Sequence, residues 1–226
     1  RFTTRYPVDV CPFQVNSANL MARPFIAPGC NDVAGASAVL KLSLKTLSEE
    51  IRFSDLDLKF LRFFLRGLPG HIYELYDLIL TRAVRLVVAN GEGDPAPVML
   101  EADAIKQVGL SPDEALLPYP ESSFMGYRLL TEYFSFPEKF QFIDITELDG
   151  AIDNRYGNTL NLYIYLSETS DELEKQIVPE MFALGCTPVV NLFSEVADPI
   201  PLDHRQYQYQ VVPDVRRSNG LEVYAI

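Results

Sequence analysis

Glu132, Glu138 and Asp144 stand among Tyr133, Phe134, Phe136, Phe140 and Phe142 in the stretch LTEYFSFPEKFQFIDI, residues 130–145. A carboxyl group shut among aromatic rings loses hydration, which raises its pKa and can fit it for general acid catalysis. Glycoside cleavage also needs two carboxyls at a set separation, and nothing in this spacing fixes one. Structural roles are therefore favoured, with Glu132 near the end of a helix and Glu138 paired with Lys139 or a distant arginine. Asp203 beside His204 lacks a nucleophile held in a strained turn, since no Gly-x-Ser-x-Gly occurs. Cys186 follows Gly185, a helix-ending glycine, and reads as a structural thiol. NGEGD at 90–94 has neither the lysine nor the following helix of a phosphate-binding loop. No catalytic, cofactor-binding or metal-binding residue is assigned, and the chain is read as a non-enzyme.

Two further groups bear on binding. Arg62, Arg66, Arg82 and Arg85 gather positive charge, but their aromatic neighbours recur at strand spacing and point to core packing rather than base stacking. Tyr207 and Tyr209 alternate with Gln206, Gln208 and Gln210; such a polar-aromatic strand is a candidate interface or sheet edge, with Tyr207, Gln208 and Tyr209 as its contact residues.

Positioning these groups falls to a β-rich chain. An extended arm or strand near Val8–Val15 precedes a loop. Leu40, Leu42, Leu44 and Thr46 alternate with Lys41, Ser43 and Lys45, the period of a strand with one apolar and one basic face. Residues 56–67 read as another strand, Ile72, Leu75, Tyr76 and Ile79 as a helix, and AVRLVV as a strand ending at NGEGD. Residues 97–111 read as two short strands or a strand and a turn. From Ser123 to Phe134 a helix is expected, capped by Ser122 or Ser123, with Met125, Leu129, Leu130 and Tyr133 as its buried stripe. Pro137 forbids continuation and pushes Phe136 into extended geometry, so the chain turns into a strand beginning near Lys139. Phe134, Phe136, Pro137, Phe140 and Phe142 are the expected structural joint.

Beyond it, NTLNLYIYLSE is a strand and SDELEKQI a helix capped by Ser170, while TPVVNLF, YQYQVVP and LEVYAI are strands. The order strand, strand, helix, strand occurs twice and suggests a pseudo-duplicated unit, residues 1–121 and 122–226 being the two halves of one compact fragment, with parallel pairing inside each crossover. The expected class is α+β, β-dominant, with about nine or ten strands in packed mixed sheets and two or three helices.

The totals narrow the function. A chain of 226 residues, 48% apolar, can bury a sizeable core. Its net charge of −12 opposes nucleic acid and anionic lipid. Cys11, Cys30 and Cys186 form no Cys-x-x-Cys, and with only His71 and His204 beside them they argue against structural zinc and for a reducing compartment. No membrane-length apolar run and no leader pattern opens or crosses the sequence, so the cytoplasm is the expected location. Arg1 at one end and LEVYAI at the other are read as the marks of a fragment.

LLTEYFSFPEKFQFIDI, ALGCTPVVNLF, PIPLDHRQYQYQVVPDVRR and LEVYAI, with RYPVDVCPFQVNSANL and FLRFFLRG upstream, resemble the TssF (VasA, ImpG) family of type VI secretion baseplate wedge subunits. The resemblance runs through nearly the whole chain. It implies a structural, cofactor-free subunit with no catalytic residues, priming tail tube and sheath polymerisation in the cytoplasm beneath the membrane-docked secretion complex. The partners it implies are TssG, TssE, TssK and VgrG, and a second TssF copy in the wedge. The competing reading is a carbohydrate-binding or hydrolytic β-sandwich built on clustered aromatics and carboxylates.

Overall fold

Strand and helix periods decide which side chains leave water, and the strongest period-two run, Leu40, Leu42 and Leu44, lies at the centre of the fold. The computed structural model of the chain describes residues 1–29, 33–119, 123–203, 205, 207–214 and 220–225. Cys30, Ser122, His204 and Gln206, each named above, lie outside the described residues. The chain begins with β1 (Thr3–Thr4), β2 (Phe13–Ala22), β3 (Ala38–Thr46) and β4 (Leu61–Leu65), followed by α1 (Pro69–Arg82). Next come β5 (Ala83–Ala89), β6 (Val98–Glu101), β7 (Ile105–Gln107), α2 (Met125–Ser135), β8 (Phe142–Ile145) and β9 (Thr159–Leu166). The last are α3 (Leu173–Gln176), β10 (Phe182–Ala183) and β11 (Val189–Val190).

Three sheets result: five strands in the order β2-β3-β9-β5-β6, four in the order β10-β4-β8-β7, and the pair β1-β11. The α+β, β-dominant class is as expected. Strands from both sides of residue 121 interleave, since β9 lies between β3 and β5, and β8 between β4 and β7. In β3 and β9 the register sets Leu40 opposite Ile164, Leu42 opposite Leu162 and Leu44 opposite Leu160. These side chains share one core with Phe63 and Leu65 of β4, Ile143 and Ile145 of β8, and Ile72, Leu75 and Ile79 of α1. Burying each such side chain is worth roughly 1.5–3 kcal/mol. Pro69 sits in the first turn of α1, where its missing amide leaves no hydrogen bond unmade, and Arg82 passes straight into β5.

Behind the five-stranded sheet, Val39, Val87, Tyr163 and Tyr165 pack under Ala27, Val33 and Ala36, and the Tyr165 hydroxyl donates to the Pro28 carbonyl at 2.7 Å. That second layer corrects the expected basic face of β3. Ser43 is buried, Lys41 is half-buried and only Lys45 is exposed, because loop residues cover the side opposite the leucines.

Four other expectations change. The strand expected at Val8–Val15 runs instead over Phe13–Ala22, where pairing with β3 satisfies the backbone of a polar run that lacks a clear period. Every described pairing is antiparallel, and β4 and β5 lie in different sheets, so α1 joins sheets instead of linking parallel neighbours. The proposed duplication fails on the same topology. α1 has 14 residues and leads back to the five-stranded sheet, whereas α3 has 4 and is followed by strands of the two other sheets. Residues 207–212 and 221–225 form no strand; of TPVVNLF only Val189–Val190 pairs, with β1. Residues 97–111 do give two short strands, β6 and β7, with a 3-10 turn at Ala102–Ala104.

Candidate functional site

Helical spacing gives α2 two stripes: Arg128 and Glu132 on one, and Met125, Leu130, Tyr133 and their aromatic neighbours on another. The structure turns the charged stripe inward. Arg128 is 3% exposed and Glu132 7%, while Tyr127 is 64% exposed and Phe134 80%. This reverses the buried stripe expected from sequence; Leu129 alone of that set is half-buried.

What lies beneath explains the reversal. Residues 110–116 cross under α2 with backbone groups that need partners. Arg128 donates to the carbonyls of Leu110, Ser111 and Pro112 at 3.1–3.2 Å. Glu132 Oε1 accepts the Leu116 amide at 2.8 Å, and Oε2 pairs with Lys139 Nζ. Lys139 is fully buried. Burial pushes its pKa down, opposed by the Glu132 hydrogen bond. Glu114 fixes the loop from its other side, accepting the amides of Gly109 at 2.7 Å and Ser111 at 3.0 Å. Gly109 has φ +105°, and a Cβ there would meet the Lys139 carbonyl oxygen at 3.1 Å.

The helix stops as its sequence requires. The Phe136 amide donates to the Glu132 carbonyl at 2.7 Å, and Pro137 opens a 3-10 turn, Pro137–Phe140. The strand then begins at Phe142, later than the expected Lys139, because the turn keeps Lys139 under α2. Of the five joint residues, Phe142 is buried, packed edge-on to Tyr6 at 5.4 Å and against Phe64 at 4.8 Å. Pro137 and Phe140 are half-buried, and Phe136 and Phe134 are exposed. Among the described residues no side chain, Ser123 included, caps the start of α2; Phe124, in extended geometry, precedes it.

Two of the three carboxylates singled out for chemistry, Asp144 and Glu132, are engaged elsewhere. Asp144 and Arg62, register partners on β8 and β4, form two 2.7 Å hydrogen bonds, which push the Arg62 pKa up. Glu132 is held by Lys139, and Glu138 is exposed instead of pairing with Lys139. The remaining arginines are also used: Arg66 on the Glu180 carbonyl at 2.8 Å, Arg82 with Glu168 at 3.2 Å, and Arg85 with Glu101. Cys11 and Cys186 are free and half-buried, and burial pushes the Cys11 thiol up, away from the reactive thiolate. Among the described residues no three His, Cys, Asp or Glu groups are placed to hold a metal ion, and no helix is long and apolar enough to cross a membrane.

Tyr207 and Gln208 are exposed, whereas the Tyr209 hydroxyl donates to Asp203 at 2.6 Å and lowers the Asp203 pKa. Arg128 and Lys139 were missed from sequence as buried anchors. Their signal is the spacing Arg128-x3-Glu132 followed by Lys139, three charges that helix and turn bring to one side.

Comparison with known proteins adds to this geometry. The family described as "Type VI secretion system, TssF" matches residues 1–226. The type VI secretion system component TssF1 of Pseudomonas aeruginosa is 30% identical over 227 residues, an alignment covering 100% of this chain and 36% of the relative. A cryo-electron microscopy structure of a TssK-TssF-TssG baseplate subcomplex contains a chain of the same fold. It superposes with a TM-score of 0.76 at 23% identity, over 96% of this chain and 39% of that one. The chain thus spans little more than a third of the length of these relatives.

Proposed function

The chain belongs to the type VI secretion system TssF family, and from that premise we propose that it is a structural, non-enzymatic part of the secretion baseplate. The carrying observation is the outward aromatic face of α2, held rigidly by buried charge. Surface helices usually turn such a face inward, and exposed apolar patches mark sites of protein contact. TssG and TssK are the first partners proposed, because the similar solved assembly contains both beside TssF. TssE, VgrG and a second TssF copy are further expected neighbours in a wedge that primes tube and sheath polymerisation. We place the assembly in the cytoplasm, beneath the membrane-docked secretion complex.

Within this role Pro137, Phe140 and Phe142 serve as the joint that aims α2, with Phe134 and Phe136 on its contact side. Tyr207, Gln208 and Tyr209 form a second candidate contact, led by the fully exposed Tyr207. Co-expression of the full-length protein with TssG and TssK, followed by affinity purification on one component, tests the proposal. All three should elute together; elution of the tagged component alone would overturn it.

A further inference from the structure

We propose that the outward face of α2 receives an apolar helix of a partner protein whose margin carries lysines or arginines, a proposal that rests on the baseplate reading above. Phe124, Tyr127, Leu130 and Phe134 stand exposed along this face while Arg128 and Glu132 are buried beneath it. An apolar ridge of this kind gains by losing water against another apolar surface.

Helix geometry selects the shape of the occupant. The backbone groups in the middle of α2 are already bonded within the helix, so the face offers only side chains. An extended strand laid there would bury its own amides and carbonyls unpaired, whereas a helix brings its backbone satisfied and packs ridge into groove.

Charge selects the chemistry. Along residues 110–140 the described charges that are exposed, Asp113 and Glu138, are both carboxylates, and both cations, Arg128 and Lys139, are buried. Of the cations brought nearby, Arg5 is half-buried on the Ala115 carbonyl at 2.8 Å, and Arg62, 4.0 Å from Glu114, is half-buried and paired with Asp144. Exposed Glu222 accompanies Tyr224, whose hydroxyl donates to the Pro118 carbonyl at 2.9 Å. A second copy of this chain, or an anionic bilayer, would bring like charge to an acidic rim on a protein of net charge −12. A basic margin meets it with opposite charge.

The test places the photocrosslinker benzoylphenylalanine at position 127 or 134 of the full-length protein co-expressed with TssG and TssK. Crosslinks to a helical TssG or TssK segment with an apolar side and flanking lysines or arginines are expected. A complex that assembles with crosslinks only within its own chain, to a second copy or to lipid, or with none, overturns this proposal and leaves the baseplate reading standing. Absence of any complex overturns both. Phe134→Ser should weaken the complex at least tenfold with an unchanged urea midpoint. Glu138→Lys should weaken it at least threefold at low salt and far less at high salt; unchanged affinity at low salt overturns the basic margin.

Discussion

Lys139 keeps an ammonium group where water does not reach, and its stability depends on the Glu132 carboxylate across the turn. Removing one member of such a pair leaves the other charged and unpaired, a loss of roughly 3–5 kcal/mol. Lys139→Met should therefore lower the urea midpoint strongly. In the double variant Lys139→Met, Glu132→Gln the amide oxygen can still accept the Leu116 amide with neither charge of the pair left buried, and most of the loss should return. A double variant no more stable than the single one would show that the pair is not the source of the effect. Tyr163 presents a different imbalance, for its buried hydroxyl has no hydrogen-bond partner among the described residues and its pKa is pushed up to about 12 by burial. An unfolded tyrosine ionises near pH 10, so the folded state holds the extra proton between about pH 10 and 12, and stability falls as pH rises through that window. Lys139 acts in the opposite sense, since its lowered pKa makes stability rise with pH from its folded value up to about 10.4. Tyr163→Phe should leave stability at pH 7 unchanged or raised by up to about 1 kcal/mol, and should flatten the decline above pH 10 seen in urea titrations. An equally steep decline in the variant would count against Tyr163 as a contributor.

At the scale of elements, α2 and the turn after it show what sequence can and cannot specify. The stop at Phe136-Pro137 was legible because proline's missing amide and its clash with the preceding turn act locally. β3, α1 and β9 were legible for a similar reason, since each carries its period in its own residues. Which stripe of α2 faces inward was not, because apolar and charged residues both recur at helical spacing and the choice is made by the carbonyls of residues 110–112. Nor was the pairing that makes a strand of Asn16 to Ala22, which comes from β3. The same distinction separates two phenylalanines of the joint. Phe142 is buried between Tyr6 and Phe64, and Phe142→Ala should cost roughly 3–5 kcal/mol. Phe136, though six residues away and next to the proline, is 38% exposed, so Phe136→Ala should cost about 1 kcal/mol or less. Equal shifts in the two urea midpoints would refute this ordering.

For the whole molecule, topology decides what can fold alone. The break at residues 121 and 122 looked natural in sequence, because a strand–helix–strand order precedes and follows it. In the structure β9, from the second part, is the central strand of the five-stranded sheet, pairing with β3 on one side and β5 on the other. β8 stands between β4 and β7 in the same way. Residues 1–121 alone would hold β3 and β5 with the central strand missing, leaving two rows of backbone groups unpaired and Leu40, Leu42, Leu44, Leu86 and Val88 without their partners on β9. Residues 122–226 alone would keep β8 and β9 with no cross-strand neighbour for either. Each part expressed separately should therefore show no cooperative urea transition, and mixing the two should restore one, with a midpoint that rises with concentration because the folded state is now bimolecular. Cooperative unfolding by either part alone would mean that the core divides along the chain after all, and that the cross-strand register between β9 and its neighbours is not what holds the fold together.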